Sequence, residues 1–357
     1  MPHQNRHLIK QADSVAWLIQ YHGAEHADLF RKYAVKPAHI QARAVYAPGT
    51  ATVPPVPRAL YKPGEPESPD MLSRAELAQP VAQRIFADLF EADDEAPAHI
   101  NHVSCTHYAS PSAAQRLVVD KGWHESTGVT HLYHMGCYAA FPALRVSEAY
   151  VENGAPRVDV VHTELCSFHL DKQQLTPAQI IMKTLFGDGA IRYSVVNEAC
   201  FEQHAETGYQ IMARHERLVP GTENEMSWMV GPTGFVMTLT KNVPLFLARI
   251  IEEFMRALFS RAGLDYDRDK ERALFAVHPG GPKIVESIAR VLALSPHQVR
   301  HALDILRTRG NMSSASVPYI LHHMLNDRET PDHDYVAAVA FGPGLTITGA
   351  LLKLCRR

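Results

Sequence analysis

The chain has 357 residues, of which 46% are hydrophobic and 20% charged, and its formal net charge is −3 at pH 7. This composition is ordinary for a globular protein and leaves enough apolar material for a sizeable core or for two domains. The slightly acidic balance argues against nucleic acid or an anionic membrane surface as the main partner.

The cysteines, an odd number with no CxxC pair, are spread along the chain: Cys105, Cys137, Cys166, Cys200 and Cys355. This usage fits a reducing compartment better than a disulfide framework. The first residues form no apolar signal-like segment, and no run of about 18 apolar residues occurs in the sequence. We therefore expect a soluble, cytoplasmic protein without a membrane span.

The N-terminal part alternates segments of helical and strand character. A proline-rich surface loop is predicted at 48–69, and Pro80 is a candidate helix break. Apolar residues at helical spacing predict four helices: 24–33, 72–89, 113–119 and 177–186. Apolar, valine-rich runs predict four buried strands: 99–106, 129–135, 158–167 and 191–196.

The C-terminal part repeats this alternation in outline. Five strands are predicted: 208–214, 234–239, 273–277, 335–341 and 345–352. Helices are predicted at three segments, with a further one opening near 310–316: 244–262, 284–293 and 296–307. Strands that alternate with helices indicate an α/β fold with mainly parallel or mixed sheets.

Cys137 lies where the predicted strand 129–135 turns into a helix, and Gly136 before it permits a tight turn. The unpaired N–H groups and the dipole at a helix N-terminus favour a thiolate, which is the nucleophilic form of cysteine. A small buried side chain explains this stretch equally well when it is taken alone. Residues further along the chain decide between the two interpretations.

His278 ends the predicted strand 273–277 and precedes a Pro-Gly-Gly-Pro loop, which is rigid enough to aim its side chain. Asn311 follows a glycine and precedes a helix rich in small residues, where capping alone would explain it. Together with Cys137, however, these residues give the order Cys, His, Asn, each at the end of an element. Polar residues in such positions converge readily on one pocket.

Five segments resemble the signature segments of type III polyketide synthases, the chalcone synthase-like members of the thiolase-fold condensing enzymes. The resemblance runs in order from about residue 99 to the C-terminus, and the first hundred residues match only loosely. Cys137 to His278 and His278 to Asn311 span 141 and 33 residues, which also suits the family. The segments are Gly136-Cys137-Tyr138-Ala139, Phe186-Gly187-Asp188-Gly189-Ala190, His278-Pro279-Gly280-Gly281-Pro282, Gly310-Asn311-Met312-Ser313-Ser314-Ala315 and Phe341-Gly342-Pro343-Gly344-Leu345-Thr346.

The resemblance implies a thiolase-like fold in which two topologically similar halves, 1–206 and 207–357, pack as a layered αβαβα sandwich within a homodimer. It implies that Cys137 attacks a starter acyl-CoA and carries the acyl group. His278 would hold the thiolate and, with Asn311, hydrogen-bond the thioester oxygen of malonyl-CoA as carbon dioxide leaves. The implied product is a pyrone, a resorcinol or another cyclised polyketide, and no cofactor is implied besides the CoA thioester substrates.

Further positions carry over to the wall of the substrate cavity. Tyr209 and Met237 are the expected counterparts of two phenylalanines that gate the plant enzymes, and Trp228 stands where the plant family has a cavity-lining glycine. A bulkier wall would limit chain extension or redirect cyclisation. The Ser110–Pro111 bond matches a position that is often cis in the family. Four other cavity candidates, whose histidines would either steer proton transfer or pack, are Thr106, His107, His169 and Ser313.

Other classes of protein are alternatives to this function. Papain-like proteases share the order Cys, His, Asn, but their local cysteine signature is missing here. Within the fold, a ketoacyl-acyl-carrier-protein synthase III-like enzyme stays open, as does a ketosynthase that joins two acyl or β-ketoacyl thioesters. The absence of an acidic residue in 105–113 weighs mildly against the joining enzyme. A non-catalytic member of the fold would be expected to have lost one of the three residues.

Other ligand classes find little support in the sequence. The glycine-rich segments at 186–189 and 341–344 lack the Gly-Lys-Ser/Thr of a P-loop, and no metal-ligand spacing stands out. The donor of the acyl group could be CoA or acyl carrier protein. A cluster of basic residues is either a solvated face or an anchor for the phosphates of CoA: Arg31, Lys32, Lys36, His39 and Arg43.

Overall fold

The computed structural model describes residues 1–4, 7–46, 60, 68–92, 95–171, 173–204, 207–327 and 334–356. Nearly all of the predicted loop 48–69 lies outside these residues. The strands are β1 His7–Lys10, β2 Ala42–Val45, β3 His99–Ser104, β4 Gly128–Tyr133, β5 Arg157–Glu164, β6 Gly189–Val196, β7 Thr207–Leu218, β8 Met226–Val230, β9 Phe235–Leu239, β10 Ala273–Val277, β11 Tyr335–Gly342 and β12 Thr346–Arg356. The helices are α1 Gln11–His22, α2 Ala27–Tyr33, α3 Met71–Leu89, α4 Ala113–Asp120, α5 Ala140–Glu152, α6 Pro177–Leu185, α7 Glu198–His204, α8 Val243–Arg261, α9 Tyr266–Asp269, α10 Pro282–Val291, α11 Pro296–Arg309 and α12 Ser316–Asn326.

Two four-stranded sheets form the centre of the molecule. The first has the order β4-β3-β5-β6, in which β3 runs parallel to β4 and β5 while β6 is antiparallel. The second has the order β10-β11-β12-β7, in which β10 and β11 are parallel and the other pairs antiparallel. The prediction of mixed central sheets is therefore confirmed. The division of the chain at residue 206 into two halves stays a prediction.

Helices α5 and α12 lie between the sheets. Helix α5 contacts β3, β5 and β6 of the first sheet and β12 of the second, whereas α12 contacts β6 of the first sheet and β10 and β11 of the second. Outside them, α3 packs on β5 and β6, and α8 packs on β7 and β12. Since Cys137 precedes α5 and Asn311 precedes α12, the layering brings both residues to the middle of the molecule.

Three local predictions differ from the structure. Helix α3 runs unbroken through Pro80, because its face with Ala82, Ile85 and Phe86 is buried against the first sheet. Strand β4 is half-buried because it is the edge strand of its sheet, although a buried strand was predicted. Thirdly, helices α1, α7 and α9 and strands β1, β2 and β8 are not among the predicted elements, and all of them except α1 are short.

Most predicted elements are confirmed to within a few residues, and the Ser110–Pro111 bond is cis, as expected. Within the described residues, no helix combines the length and the apolar character needed to cross a bilayer.

Candidate active site

Cys137 sits in a tight loop between β4 and α5. Gly136 has φ +83°, and a Cβ placed on it would come within 2.7 Å of Cδ of Pro343. Only glycine fits this position without strain, because the left-handed backbone and the close neighbour both exclude a side chain. The loop therefore presses the residue before the cysteine against the turn that follows β11.

The parallel strands β10 and β11 end at the same place. Val277 of β10 pairs with Val339 of β11, and the N–H of His278 continues the ladder by donating to the Val339 carbonyl at 2.8 Å. Strand β11 ends at Gly342, directly before the Pro343 turn that packs on the Cys137 loop. Side chains that follow parallel strands at one sheet edge lie close together, so the topology brings His278 to the Cys137 side of the sheet.

His278 is 2% exposed, and neither ring nitrogen has a hydrogen-bond partner among the residues that the structure describes. Burial lowers the pKa of its imidazole to about 3, so the ring is neutral near pH 7. A buried polar side chain without a partner costs free energy unless a ligand completes it. His278 is therefore a candidate for a group that meets substrate.

Asn311 is held by its own loop. Its Oδ1 accepts a hydrogen bond from the Ser313 N–H at 2.8 Å, which leaves the amide N–H groups for other partners. Its backbone forms an isolated bridge to Phe186, and Gly187 donates to its carbonyl at 2.9 Å. Ser313 has φ +50°, a strained backbone for a non-glycine residue of the kind that collects at functional sites.

The Cys137 thiol points at this loop. Its Sγ lies 3.8 Å from Ser313 Oγ, and the side chains of Ser313 and Asn311 both favour the thiolate by hydrogen bonding. Burial outweighs them and raises the pKa of the thiol to about 12. This is opposite to the direction expected at a helix N-terminus, because Cys137 precedes the first turn of α5 by three residues and its side chain is partly buried. The resting pair is a neutral thiol and a neutral imidazole.

Glu164 is a residue that the sequence reasoning missed. It ends β5, is fully buried, and accepts hydrogen bonds from the Cys105 N–H at 3.1 Å and the Thr106 hydroxyl at 2.9 Å. Its other oxygen accepts from the N–H of Ser314 at 3.3 Å and from the Ser314 hydroxyl. Burial raises the pKa of this carboxyl, which those hydrogen bonds counteract. Glu164 thus ties the loop after β3 to the loop that carries Asn311.

A narrow cavity of about 70 Å³ opens beside Cys137, and its wall is mainly apolar. Five of the predicted cavity residues line it: Thr106, His169, Trp228, Met237 and Ser313. The indole N–H of Trp228 donates to the Cys105 carbonyl at 3.0 Å, which fixes the ring against the loop after β3. His169 lies with its ring 4.6 Å from that of Phe235, between centroids, and donates from Nε2 to the Thr106 carbonyl.

Two predicted cavity residues do not reach this cavity. Tyr209 lies on β7, opposite Leu354, and its hydroxyl donates to the Leu321 carbonyl on α12. Its side chain is therefore held between the second sheet and α12. His107 turns towards α3, where Nε2 lies 2.6 Å from Oε1 of Gln79. Two phenylalanines that were not predicted line the cavity instead: Phe186, which lies beside Asn311, and Phe235.

The basic residues that were predicted as a phosphate anchor differ in their exposure. Arg43 is 2% exposed and donates to Oε1 of Gln11 and to the carbonyls of Lys183 and Phe186. It therefore cross-links buried segments of the protein and cannot anchor a phosphate. Arg31 is exposed and pairs with Asp28. Among the described residues, no group of three His, Cys, Asp or Glu side chains is arranged to hold a metal ion.

Comparison with solved structures identifies the fold. The type III polyketide synthase domain of Steely1 from Dictyostelium superimposes with a TM-score of 0.80 at 24% identity, over 97% of this chain and 95% of that one. The enzyme PKS-I of the brown alga Ectocarpus siliculosus gives a TM-score of 0.79 at 23% identity, over 99% and 96%. The fold is therefore the thiolase fold of type III polyketide synthases.

The family follows from the sequence comparison. The N-terminal domain of chalcone and stilbene synthases matches residues 75–197, and the C-terminal domain of the same family matches residues 210–355. The chain belongs to the chalcone and stilbene synthase family.

The curated relatives that match are longer than this chain. Probable polyketide synthase 1 of Dictyostelium discoideum is 30% identical over 283 residues, which are 78% of this chain and 9% of that protein. Type III polyketide synthase A of Arabidopsis thaliana is 27% identical over 71% of this chain and 65% of its own length. The alpha-pyrone synthesis polyketide synthase-like Pks18 of Mycobacterium tuberculosis is 28% identical, over 71% and 64%. The chain thus spans less than two thirds of each of these relatives.

Proposed function

We propose that the chain is a type III polyketide synthase, which loads an acyl group on Cys137 and extends it with malonyl-CoA by decarboxylative Claisen condensation. The observation that carries the proposal is the partly buried thiol of Cys137, beside a narrow apolar cavity and next to Asn311. His278, which has no hydrogen-bond partner among the described residues, ends its strand on the same side of the sheet. Family membership supports the same reaction class.

The protonation states favour loading in which the proton moves as the bond forms. Because the pKa of the Cys137 thiol is raised and that of His278 lowered, the thiol keeps its proton until an acyl thioester is bound. Sγ then attacks the thioester carbonyl while its proton passes to the imidazole. The carbon–sulfur bond to CoA breaks, and the departing thiolate takes that proton from His278. The imidazole is neutral again for the next step.

Extension uses the same residues as hydrogen-bond donors. When malonyl-CoA enters, the Asn311 amide and an N–H of His278 would donate to its thioester oxygen, which gains negative charge as carbon dioxide leaves. The resulting enolate carbon attacks the acyl carbonyl on Cys137, and the acyl–sulfur bond breaks. The products are a β-ketoacyl-CoA and a Cys137 thiolate, which regains a proton before the next round.

The remaining properties of the enzyme are part of the same proposal. We expect acyl-CoA and malonyl-CoA as substrates, no cofactor, a cytoplasmic homodimer, and a product that closes to a pyrone, a resorcinol or a related ring. The division at residue 206 into two thiolase-like halves belongs to it as well. Of the predicted basic cluster, Arg43 is buried, and the exposed members would meet the phosphates of CoA: Arg31, Lys32, Lys36 and His39.

The test is the intact mass of the protein after incubation with single acyl-CoAs, followed by malonyl-CoA. We expect a gain of one acyl group in the wild type and in Cys355→Ala, a control on a partly exposed cysteine, but not in Cys137→Ala. Malonyl-CoA should then remove the label and release a product. Acylation that only a second acyl or β-ketoacyl thioester discharges would support the joining enzyme. Absence of acylation from CoA and carrier-protein donors alike would refute a condensing enzyme.

A further inference from the structure

Helix α6 forms one side of the Cys137 cavity. Its residues Gln179, Met182 and Lys183, with Phe186 directly after it, line the cavity and recur at the spacing of one helix face. The bridge between Phe186 and Asn311 holds the C-terminal end of α6 at the site of condensation. The N-terminal end of α6 therefore marks the far end of this wall.

The side chain of Lys183 places its ammonium group near the N-terminal end of α6. Its side chain is 1% exposed, and its Nζ donates to the carbonyl of Gln174, which precedes the N-cap Thr176. Long side chains on a helix run back towards its N-terminus, and this contact shows that Lys183 does so. Helix α6 has nine residues and is about 13 Å long. The stem of Lys183 thus lies along the cavity, and its ammonium group lies far from Asn311.

Asp171 lies at the same end and also lines the cavity. One of its oxygens, Oδ1, accepts from the N–H groups of Gln173 at 2.7 Å and Gln174 at 3.1 Å. Burial lowers the pKa of Lys183 to about 8, so its charged form still prevails at pH 7. The charge of Asp171 attracts the ammonium group of Lys183 and, against burial, raises the pKa of Lys183. Among the described residues, the two side chains form no direct salt bridge.

The ammonium group is incompletely satisfied. It has three N–H donors, and the described residues provide it with the Gln174 carbonyl as a hydrogen-bond acceptor. Burying a charge in a mainly apolar wall is costly unless its hydrogen bonds are made. A hydrocarbon chain would fill this end of the cavity without forming a hydrogen bond to Lys183 or Asp171.

We propose that the cavity selects a starter acyl chain with a hydroxyl group near its far end, held between the ammonium of Lys183 and the carboxylate of Asp171. A hydroxyl accepts from the first and donates to the second, as neither a methyl group nor a carboxylate can. A carboxylate would meet Lys183 but would be repelled by Asp171. The inference rests on the proposed function, because it requires an acyl group on Cys137.

The length of helix α6 corresponds to an acyl chain of medium length. An extended chain advances about 1.2 Å per bond, so the length of α6 corresponds to roughly ten bonds. The free cavity is only about 70 Å³, which requires its walls to move on binding. Three methionines line it, and their unbranched side chains change rotamer readily: Met182, Met226 and Met237.

The test is a competition for Cys137 among three acyl-CoAs of equal length: decanoyl-CoA, ω-hydroxydecanoyl-CoA and the ω-carboxy analogue. Loading is followed by intact mass. We expect the wild type to load the hydroxyacyl group at least about tenfold faster than the other two, since a site built to bind a hydroxyl rejects its analogues. Lys183→Met keeps the apolar stem and should reduce this preference to near one.

Asp171→Asn is the second variant and should also lower the preference, so the test does not depend on the folding of Lys183→Met. Lys121→Met is the matched control, because Lys121 is a partly exposed lysine that does not line the cavity and should change nothing. Equal loading of all three by the wild type, or faster loading of the carboxy analogue, would overturn the inference while Cys137 acylation still supports the proposed function. No loading of any would overturn both.

Discussion

Glu164→Gln tests whether the buried carboxylate holds the site together. In the wild type its two oxygens serve four donors: the Cys105 N–H, the Thr106 hydroxyl, and both the N–H and the hydroxyl of Ser314. Glutamine has the same shape, but one of its two acceptor positions becomes an NH₂ group. Either the Cys105 and Thr106 donors or the two Ser314 donors must then face this NH₂ group, which is itself a donor.

The cost follows from which donors can adapt. A hydroxyl can rotate and accept from the new NH₂, whereas a backbone N–H cannot. The NH₂ should face Ser314, because that N–H bond is longer, 3.3 Å against 3.1 Å for Cys105. One buried N–H then loses its acceptor, which costs about 1–3 kcal/mol of unfolding free energy. Glu164→Ala orphans all four donors and should cost more.

Urea unfolding of Glu164→Gln measures this free energy, and the rate of Cys137 acylation measures the effect on the site. We expect acylation to fall as well, because the Asn311 loop loses its tie to the loop after β3. Glu152→Gln, on the exposed end of α5, is the control and should match the wild type. A Glu164→Gln protein within 0.5 kcal/mol of the control would refute the reasoning, since surface substitutions lie within about that range.

Three further predictions concern the same centre. Gly136→Ala should destabilise the protein by about 1–3 kcal/mol and suppress acylation, because its Cβ would meet Pro343 at a left-handed φ; urea unfolding checks this. Alkylation of Cys137 by iodoacetamide should rise about tenfold per pH unit up to pH 9, since its thiol pKa is about 12. Stability should fall as pH drops below about 6.5, the ordinary histidine pKa, because burial lowers the pKa of three histidines to about 3 and the unfolded chain binds the protons: His162, His169 and His278.

Each of these has its own control. Gly122→Ala shares the left-handed φ but meets no atom within 4 Å, so it should cost less than Gly136→Ala, and an equal cost would contradict the clash. A plateau of Cys137 alkylation below pH 7, followed by peptide mass spectrometry, would show a preformed thiolate instead. Constant unfolding free energy from pH 7 to pH 4 would contradict the burial of three neutral histidines.

The sequence predicted best where one physical signal dominates. Strand β10 is a buried apolar run and β5 carries three valines, and short segments rich in valine or other apolar residues between turn residues favour strands. The glycine before Cys137 and the loop after His278 were predictable because each has a backbone requirement that few residues meet. Family segments then assigned roles to these positions.

Tertiary context explains the failures. Glu164 ends a strand that already holds Asp159, His162 and Thr163, and nothing local shows that four donors from two distant loops meet there. Lys183 reads as the polar side of α6 until the fold shows that α6 is covered. Tyr209 was expected at the cavity wall from the family resemblance alone, and its strand β7 is the edge strand of the second sheet. The thiolate at Cys137 was predicted from the helix end, and burial outweighs that effect.

The most direct test of the proposed reaction is the fate of fully carbon-13-labelled malonyl-CoA, incubated with wild-type enzyme and an unlabelled acyl-CoA starter. Mass spectrometry of the product should show the unlabelled acyl group joined to one or more labelled two-carbon units, with one labelled carbon dioxide released for each unit. Cys137→Ala should give no such product. A wild-type protein that carries the acyl group but incorporates no labelled carbon would contradict chain extension as the function of this fold.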